Sequence, residues 1–351
     1  MTRQIHIGSV AIGGGAPVSV QSMTNTKTAD TEATVAQIRS FVAAGCDIVR
    51  LAVPDMEAAR NLGNIVRAVR VPLVADVHFD HRLALEAIRQ GISALRINPG
   101  NIGSEEKVQA VVREAKAHAI PIRIGVNAGS LDKKLLKEYG GVTAEALVES
   151  AMEHVRILEA LDFRDMKISL KAHDVPMTIA AYRLMSERVD YPLHLGITEA
   201  GTANTGVIKS AVGVGALLAE GIGDTIRISL TGDPVVEVRV ANEILKSLGL
   251  KDYGPTLIAC PTCGRTSIDL PAIAARVEAK LEGIREPIEV AVMGCVVNGP
   301  GEARTADVGI AGGKGEGLVF RKGEIVRKVP EGQLVEELFK EIDAVLQERR
   351  F

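Results

Sequence analysis

Gly45-Cys-Asp-Ile-Val-Arg50 is one copy of a pattern that returns at Gly91-Ile-Ser-Ala-Leu-Arg96 and at Gly221-Ile-Gly-Asp-Thr-Ile-Arg227. In each copy a glycine follows a helix-like segment, a short apolar run comes next, and an arginine ends the run. A glycine at this place can adopt the left-handed conformation that ends a helix, after which the chain turns directly into a strand. The repeat therefore predicts helices that alternate with buried strands.

Eight apolar runs of strand length extend this pattern over the first part of the chain, and helix-like segments such as 31–44 and 142–161 separate them. Buried strands separated by helices indicate a parallel sheet covered on both faces. Eight such units over about 250 residues match the size of a TIM (β/α)8 barrel. We therefore predict an α/β fold with a TIM barrel as the substrate-binding domain at 1–250. The predicted strands are 18–21, 48–51, 73–76, 94–97, 122–126, 166–170, 193–197 and 225–229.

A doubly wound sheet is the alternative to the barrel. Such a sheet usually has fewer strands and carries a glycine-rich dinucleotide fingerprint after the first of them. The segment that follows the first predicted strand, Ser22-Met-Thr-Asn-Thr26, has no glycine. The sequence therefore favours the barrel.

A linker at 248–255 leads into a second, small α+β domain, which we place at 256–351. The sequence predicts a strand at 256–259, a helix at 271–283 and a strand at 288–293. Two further strands are expected within 307–329, and a last helix runs from about 331 to 349. Three of the four cysteines belong to this domain.

The composition excludes several classes of protein. A net charge of −3, 3% aromatic residues and no tryptophan provide neither the basic surface nor the stacking residues that nucleic-acid binding requires. No run of eighteen apolar residues is present, and the first residues lack the apolar core of a signal peptide. Four cysteines without an obvious disulfide framework suit a reducing compartment. We therefore expect a cytoplasmic enzyme.

Five cations lie in or at the ends of five different predicted strands. An arginine among the apolar residues of a barrel strand is costly unless it is paired, and barrel enzymes collect their functional residues where the strands end. Asp76 and Glu199 could neutralise some of this charge, but two acids cannot balance five cations. The pattern predicts an anionic ligand, and guanidinium groups match a diphosphate especially well. The cations are Arg50, Arg96, Arg123, Lys171 and Arg227.

Further polar residues are expected at the same end of the barrel. Asn98, Asn127 and His194 are candidates for substrate binding. Glu199, in Gly196-Ile-Thr-Glu-Ala-Gly201, is the best candidate for an acid or base, because a carboxyl group in a closed site can have a raised pKa. An ion pair between Glu199 and one of the cations explains the same spacing equally well.

The cysteines of the second domain indicate a metal centre. Cys260-Pro-Thr-Cys263 and Cys295 supply three thiolates, whereas all seven histidines lie at or before His194. A zinc site needs four protein ligands and a redox dithiol would leave Cys295 unexplained. Glu302, seven residues beyond Cys295, could complete the ligand set of an iron–sulfur cluster. From the residues alone, this set and a structural zinc remain open alternatives.

Cys46 is expected to stay outside any such centre. It directly follows the glycine of the first repeat, which places it at the bottom of the barrel, away from the catalytic face. A buried structural cysteine is the simplest interpretation.

Long stretches of the chain closely resemble a known family. The resemblance covers nearly the whole sequence and points to the 4-hydroxy-3-methylbut-2-enyl diphosphate synthase family, in its bacterial two-domain form. The stretches that carry it are Gln21-Ser-Met-Thr-Asn-Thr26, Arg96-Ile-Asn-Pro-Gly-Asn-Ile-Gly103, Arg123-Ile-Gly-Val-Asn-Ala-Gly-Ser130, Leu193-His-Leu-Gly-Ile-Thr-Glu-Ala-Gly201, Cys260-Pro-Thr-Cys263 and Gly294-Cys-Val-Val-Asn-Gly-Pro-Gly-Glu302.

This resemblance implies a reaction and a cofactor. The reaction would be reductive ring opening and dehydroxylation of 2-C-methyl-D-erythritol 2,4-cyclodiphosphate, with flavodoxin or ferredoxin as electron donor. Cys260, Cys263, Cys295 and Glu302 would hold a [4Fe–4S] cluster, and Glu199 would supply a proton. The resemblance also implies a head-to-tail homodimer in which the cluster domain of one subunit caps the barrel of the other.

Two other functions compete with this one. A non-redox barrel enzyme that acts on a sugar phosphate would carry a structural zinc. A cluster-based redox sensor would have no use for five cations at the mouth of a barrel. Metal analysis separates the first alternative, because about four irons per chain indicate a cluster and one zinc indicates a structural site.

Overall fold

A computed structural model describes residues 1–295, 301 and 303–350, which fold as two units, Met1–Lys251 and Asp252–Phe351. The first unit begins with a short antiparallel hairpin of β1 (Ile5–Ile7) and β2 (Val10–Ile12). The sequence did not predict this hairpin, because three-residue strands are too short to show a periodic pattern. Its isoleucines pack in one cluster with residues of later strands, namely Ile48, Val74 and Ala94.

Eight parallel strands follow and confirm the TIM barrel. They are hydrogen-bonded in the order β8-β7-β6-β5-β4-β3-β10-β9. A parallel bridge between Ile168 and Leu193 joins the two ends of this order. The strands are β3 (Ser19–Met23), β4 (Ile48–Ala52), β5 (Leu73–Asp76), β6 (Ala94–Ile97), β7 (Ile122–Asn127), β8 (Met166–Lys171), β9 (His194–Leu195) and β10 (Thr225–Ile226).

The last two barrel strands are shorter than predicted. The sequence predicted 193–197 and 225–229, but β9 and β10 contain two residues each. The apolar pattern continues beyond them because Ile197 and Ile228 remain buried. Thr198 and Ser229 lie beyond the strand ladders and line a cavity, so these segments contribute to the site.

Helices cover the outside of the barrel, and aspartates begin many of them. Asp30, Asp55, Asp80, Asp174 and Asp233 each accept a hydrogen bond from a backbone N–H of the first turn, which stabilises the helix start. None of the helices in the described ranges is long and apolar enough to cross a membrane. The helices are α1 (Thr31–Ala43), α2 (Met56–Ala68), α3 (His81–Arg89), α4 (Glu105–Ala117), α5 (Lys133–Glu138), α6 (Ala144–Ala160), α7 (Val175–Arg188), α8 (Ala203–Ala219) and α9 (Pro234–Ser247).

The second unit contains a five-stranded mixed sheet with helices. Its strand order is β11-β12-β13-β14-β15, with the first three strands parallel and the last two antiparallel. Buried residues of the helices Leu270–Leu281 and Leu334–Glu348 pack with the sheet in one core. The elements are β11 (Pro255–Ala259), α10 (Leu270–Leu281), β12 (Ile288–Met293), β13 (Val308–Gly312), β14 (Glu316–Arg321), β15 (Glu324–Pro330) and α11 (Leu334–Glu348).

The end of this unit holds three strands where the sequence predicted two. The turn between β14 and β15 consists of Lys322 and Gly323, whose φ angles are +49° and +79°. Two consecutive left-handed residues form the tight hairpin turn that matches strand twist. Because lysine rarely begins such a turn, the sequence pattern did not reveal it.

Candidate active site

A cavity of about 220 Å³ lies where the barrel strands end. All five cations singled out in the sequence line it, together with Asn127 and Asp76. Residues that end parallel strands meet at one face of a barrel, so five separate strands deliver their charges to one place. The complete lining is Met23, Arg50, Asp76, His78, Arg96, Arg123, Asn127, Lys171, Thr198, Arg227 and Ser229.

A larger cavity of about 840 Å³ lies at the opposite ends of the strands. Val18, Leu193 and Asp224, which come at or before the starts of their strands, line it. Enzymes of this fold carry out their chemistry at the other face, and the five cations are absent from this lining. We therefore assign the smaller, charged cavity as the candidate site.

Asp76 neutralises part of the charge. Its carboxylate oxygens lie 3.6 Å from Arg50 Nε and 3.3 Å from Arg96 Nη1, and 3.5 Å from His78 Nε2. Burial raises the pKa of Asp76, but the attraction of Arg50 and the hydrogen bond from His78 outweigh it and hold the pKa below its usual range. Burial lowers the pKa of Arg50 to about 10. Both groups therefore remain charged at neutral pH.

Glu237 is a second acid of the site that the sequence analysis missed. It is 4% exposed, lies on α9, and its Oε2 is 3.4 Å from Arg227 Nη2. Its other oxygen accepts a hydrogen bond of 3.0 Å from the backbone N–H of Leu230. The sequence pattern marks charged residues at the ends of apolar strands, and a glutamate on a covering helix does not stand out in this way.

Arg123 and Lys171 have no carboxylate partner among the described residues. Arg123 Nη1 donates to Ser169 Oγ at 3.0 Å, while its Nε has no hydrogen-bond partner in the described structure. Burial lowers the pKa of Arg123 and Lys171, and nearby guanidinium groups lower both further. An arginine keeps its proton even so. Arg123 therefore carries a positive charge that no described acid offsets, and Lys171 places an amine in the same cavity.

Two glycines leave room for the cations. A Cβ at Gly125 would lie 2.7 Å from Arg96 Nε, and a Cβ at Gly196 would lie 2.4 Å from the Arg227 carbonyl oxygen and 2.7 Å from Lys171 Nζ. Real Cβ atoms do not approach other atoms so closely. The close packing of charged side chains at this site thus depends on glycine at both positions.

Three predicted site residues do not line the cavity. Asn98 is buried, and its Oδ1 accepts a hydrogen bond of 2.9 Å from the Gly125 N–H. His194 is fully buried inside the barrel, with Nδ1 2.5 Å from Thr225 Oγ1. Glu199 is exposed and has a φ angle of +49°. A left-handed glutamate is uncommon, and such strain collects at functional sites.

The structure adds four lining residues that the sequence analysis did not name. His78 follows Asp76 by two positions, and its ring nitrogen Nδ1 lies 3.0 Å from Arg96 Nη1. Thr198 directly precedes Glu199. Met23 Sδ accepts hydrogen bonds from the Arg50 guanidinium, and Ser229 completes the set. Proximity to a strand end was the available signal in each case, but these residue types do not by themselves indicate a site.

The cysteines of the second unit differ from Cys46. Cys260 is half-buried, and its sulfur accepts a hydrogen bond of 3.1 Å from the Gly294 N–H. Cys263 is exposed, and the backbone hydrogen bond from Arg265 is the main cause that lowers the pKa of its thiol. Within residues 1–295, 301 and 303–350, no group of three or more His, Cys, Asp or Glu stands together as a metal site. Glu302 lies outside the described residues.

The donor chemistry of this region nevertheless fits an iron–sulfur cluster. Such clusters are held by thiolates, and hydrogen bonds to the sulfurs adjust them. The Cys260 sulfur accepts a backbone hydrogen bond, and the lowered pKa of Cys263 favours its thiolate form. Cys46, by contrast, is buried as predicted, and burial raises the pKa of its thiol to about 12.

Comparison with protein families gives two matches that divide the chain as the fold does. A GcpE TIM-barrel domain matches residues 2–242, and a GcpE protein C-terminal domain matches residues 256–344. The chain belongs to the GcpE family. The resemblance that the sequence motifs indicated is thereby confirmed, and membership of this family implies an iron–sulfur enzyme.

Curated relatives of this GcpE chain match it over nearly its whole length. A protein of Geobacter sulfurreducens is 62% identical over 99% of both chains. One of Clostridium acetobutylicum is 62% identical over 97% of this chain and 98% of its own. Both are named 4-hydroxy-3-methylbut-2-en-1-yl diphosphate synthase (flavodoxin).

Solved structures of low sequence identity share the fold. Dihydropteroate synthase from Yersinia pestis has a TM-score of 0.50 and 11% identity, and it covers 71% of this GcpE chain and 98% of its own. The Coxiella burnetii enzyme has a TM-score of 0.50 and 12% identity, with coverage of 71% and 97%. At such identities the likeness extends to the fold alone.

Replacing Asp76 by asparagine should strongly destabilise the barrel unit. The change leaves Arg50 and Arg96 buried without a carboxylate, which costs about 3–5 kcal/mol of unfolding free energy. Because the pKa of Asp76 is lowered by folding, this contribution is present above the unfolded pKa and is lost as the pH falls below about 4. Urea denaturation of both proteins from about pH 2 to pH 7 measures the difference and its loss at low pH.

Asp80→Asn is the matched control for this prediction. Asp80 is partly exposed, pairs with the exposed Arg82 and begins α3. Asparagine can begin a helix equally well, and surface pairs contribute little, so a change below about 1 kcal/mol is expected. Equal destabilisation by Asp76→Asn and Asp80→Asn would show that the buried pairs at Asp76 do not stabilise the barrel.

Proposed function

We propose that the protein converts 2-C-methyl-D-erythritol 2,4-cyclodiphosphate to 4-hydroxy-3-methylbut-2-enyl diphosphate in the methylerythritol phosphate route to isoprenoids. The observation that carries this proposal is the cationic cavity, in which Arg123 and Lys171 have no acidic partner among the described residues. Relatives with 62% identity are named for this activity. A cyclic diphosphate provides the anionic charge that the cavity lacks.

The reaction requires electrons as well as binding. The ring bond between carbon and a phosphate oxygen breaks, a hydroxyl group leaves as water, and a carbon–carbon double bond forms. Two electrons and one proton are consumed, so the cyclic dianion becomes a linear diphosphate with three negative charges and one water. The chain must therefore hold the diphosphate, deliver a proton and bring electrons to the carbon skeleton.

The barrel residues bind the diphosphate. Arg50, Arg96 and Arg227 each have an acidic partner that fixes their orientation, while Arg123 offers a charge without an acidic partner and Lys171 an amine. Guanidinium forks hold phosphate oxygens two at a time, which also orients the ring. Asn127 lines the same cavity. Asn98 lies behind the cavity and holds the backbone of Gly125 through its hydrogen bond. His194 lies deeper in the barrel and supports the site from there.

Cys260, Cys263, Cys295 and Glu302 would hold a [4Fe–4S] cluster. When bound, this cluster supplies the two electrons one at a time. The relatives' printed name supports flavodoxin as the donor to the cluster, and ferredoxin could serve in the same role. The family resemblance also supports a head-to-tail homodimer and a cytoplasmic location.

Glu199→Gln should slow the reaction without loosening substrate binding. Glu199 supplies the proton to the departing hydroxyl, and its left-handed backbone presents the side chain from the segment next to Thr198. General acid catalysis contributes about 10²–10⁴-fold, so kcat should fall by this factor while KM stays nearly constant. Steady-state kinetics with anaerobic protein provide the measurement.

Glu220→Gln is the control for this prediction. Glu220 is exposed after α8 and pairs with Arg183, and its replacement should leave kcat unchanged. If the Glu199→Gln enzyme kept its kcat, another group would have to be the proton donor.

An anaerobic turnover assay tests the proposed function. Protein purified without oxygen should contain about four irons and four sulfides per chain, and it should form the linear diphosphate when reduced flavodoxin and the cyclic diphosphate are supplied. One zinc per chain and no product would indicate the non-redox alternative. A complete cluster and no product would indicate a redox sensor.

A further inference from the structure

Lys167 is a buried lysine that the proposed reaction does not use. It is 1% exposed and lies on β8, where its register partner on β7 is Arg123. Register partners project to the same face, so both side chains lie on the inner face of the barrel. The only described hydrogen bond of Lys167 Nζ is to Gln21 Oε1, at 3.4 Å. A lysine buried this completely without an acidic partner is rare.

Lys171 lies on the same face of β8, four positions further towards the cavity, and is 6% exposed. Its amine packs close to Gly196, because a Cβ there would lie 2.7 Å from Lys171 Nζ. Lys167 and Lys171 thus form a column of two amines, one beneath the cavity and one at its wall. No described carboxylate lies within ion-pair distance of either amine, in the part of the chain that the structure covers.

Charged groups surround this column on every side, and most are positive. The charges of Arg123 and Arg50 lower the pKa of both lysines, and Asp224 is the acid that favours a charged Lys167. Arg227 and Glu237 act on Lys171. Burial holds His194 on β9 uncharged, and the charges of both lysines lower its pKa further. Gln21, Asn127 and Thr198 are the neutral polar groups at the same layers.

The balance of these groups favours uncharged amines when no ligand is bound. Asp76 and Glu237 are already paired with arginines. Burial first, and then the charge of Arg123, lowers the pKa of both lysines well below the usual range. The arginines retain their protons at neutral pH, including Arg50 with its pKa lowered to about 10. Among the buried groups around the column, the two lysines and His194 can therefore change charge when an anion arrives; His78 also lines the cavity, but its side chain is 54% exposed.

We propose that Lys167 is a positioning residue for the substrate, and that Lys167 and Lys171 take up protons as the cyclic diphosphate enters the cavity. The inference rests on the proposed function for the identity of the ligand. Two negative charges above the column offset the repulsion from Arg123, so the protonated amines become favourable. Lys171 then contacts the ligand directly, while Lys167 supports it through Arg123 and Lys171.

The proposed proton uptake predicts how the affinity for the cyclic diphosphate changes with pH. Between the low pKa of the free enzyme and the raised pKa of the complex, the complex holds more protons than the free enzyme. In that window the affinity falls as the pH rises, by about tenfold per pH unit for each proton taken up. Below the window both forms are protonated, and these lysines no longer make the affinity change with pH.

Calorimetric titration of the intact cluster-loaded enzyme tests the proposal. The cyclic diphosphate is added without reductant, between pH 7 and pH 9.5, in two buffers that differ in ionisation enthalpy. Each phosphorus of this ligand carries one strongly acidic oxygen, so the ligand does not titrate in this range. We expect net uptake of about one to two protons per site, seen as a difference in heat between the buffers.

Variants assign the protons to residues. Lys171→Met should remove the larger share of the uptake, and Lys167→Met should remove the rest and make the pH dependence of affinity shallower. Lys116→Met is the control, because Lys116 is exposed at the end of α4 and pairs with Asp162. This control should bind and take up protons as the wild type does.

Three other outcomes would overturn the inference. Tight binding with equal heats in both buffers would show that no proton is taken up, and would leave the proposed function intact. A Lys167→Met enzyme that binds more weakly by the same factor at every pH, with an unchanged proton count, would reduce Lys167 to a structural role. Absence of any binding would reject the proposed substrate, and the inference with it.

Discussion

Replacing Cys263 by alanine should abolish both the iron–sulfur absorption and turnover, whereas Cys46→Ala should preserve both. Cys263 is exposed and its lowered pKa favours the thiolate that binds iron. Cys46 is buried, its raised pKa keeps it a thiol, and its sulfur contacts the carbonyl oxygen of Ile48 at 3.1 Å. The two variants therefore compare a proposed ligand with a structural cysteine in the same chain.

Iron and sulfide content, visible absorption and anaerobic turnover provide the readouts for this pair. Cys46→Ala removes one buried sulfur and should cost only about 1–2 kcal/mol of stability, which circular dichroism can confirm. The barrel unit of Cys263→Ala should remain folded, because Cys263 belongs to the other unit. A complete cluster in the Cys263→Ala protein would exclude this residue as a ligand.

Arg123→Met should weaken the use of substrate severely while the cluster stays intact. Arg123 is 3% exposed, lines the cavity and has no described acidic partner. Removing one side of a buried charged contact costs about 2–5 kcal/mol, so kcat/KM should fall by roughly 30-fold to a few thousand-fold. Methionine is close to arginine in length and removes a buried charge, so the barrel should remain stable.

Arg82→Met is the control for this experiment. Arg82 is exposed and pairs with Asp80 at the start of α3, outside the cavity lining. Its kinetic constants should equal those of the wild type, and both variants should show the wild-type cluster absorption. An unchanged kcat/KM in Arg123→Met would mean that this arginine has a structural role only.

The fold could be predicted because its repeat is local. A glycine that ends a helix, an apolar strand and a terminal arginine follow one another directly in the chain, as at Gly45 and Arg50. The residues of each such unit are sufficient to predict its secondary structure, and the number of units then indicates a barrel. The β1–β2 hairpin could not be predicted, because its three-residue strands are defined by the barrel residues on which they pack.

The site was partly predictable for the same reason. The cations end apolar strands, where a charged residue is conspicuous. Glu237 and His78 were missed because neither lies in an apolar strand: Glu237 is on α9, and His78 follows the end of β5 by two residues. Asn98 and His194 were predicted as ligand contacts, yet the structure places them behind the cavity. A position at a strand end indicates at which face of the barrel a residue lies, but not how deeply its side chain is buried.

We propose that substrate bound in the cationic cavity receives its electrons from the iron–sulfur cluster. Electron paramagnetic resonance of the reduced, oxygen-free protein tests it most directly, with the cyclic diphosphate added stepwise. We expect the cluster signal to change shape as substrate is added, and Arg123→Met to need a much higher substrate concentration for the same change. A cluster signal that stays constant at saturating substrate would show that the bound substrate does not interact with the cluster.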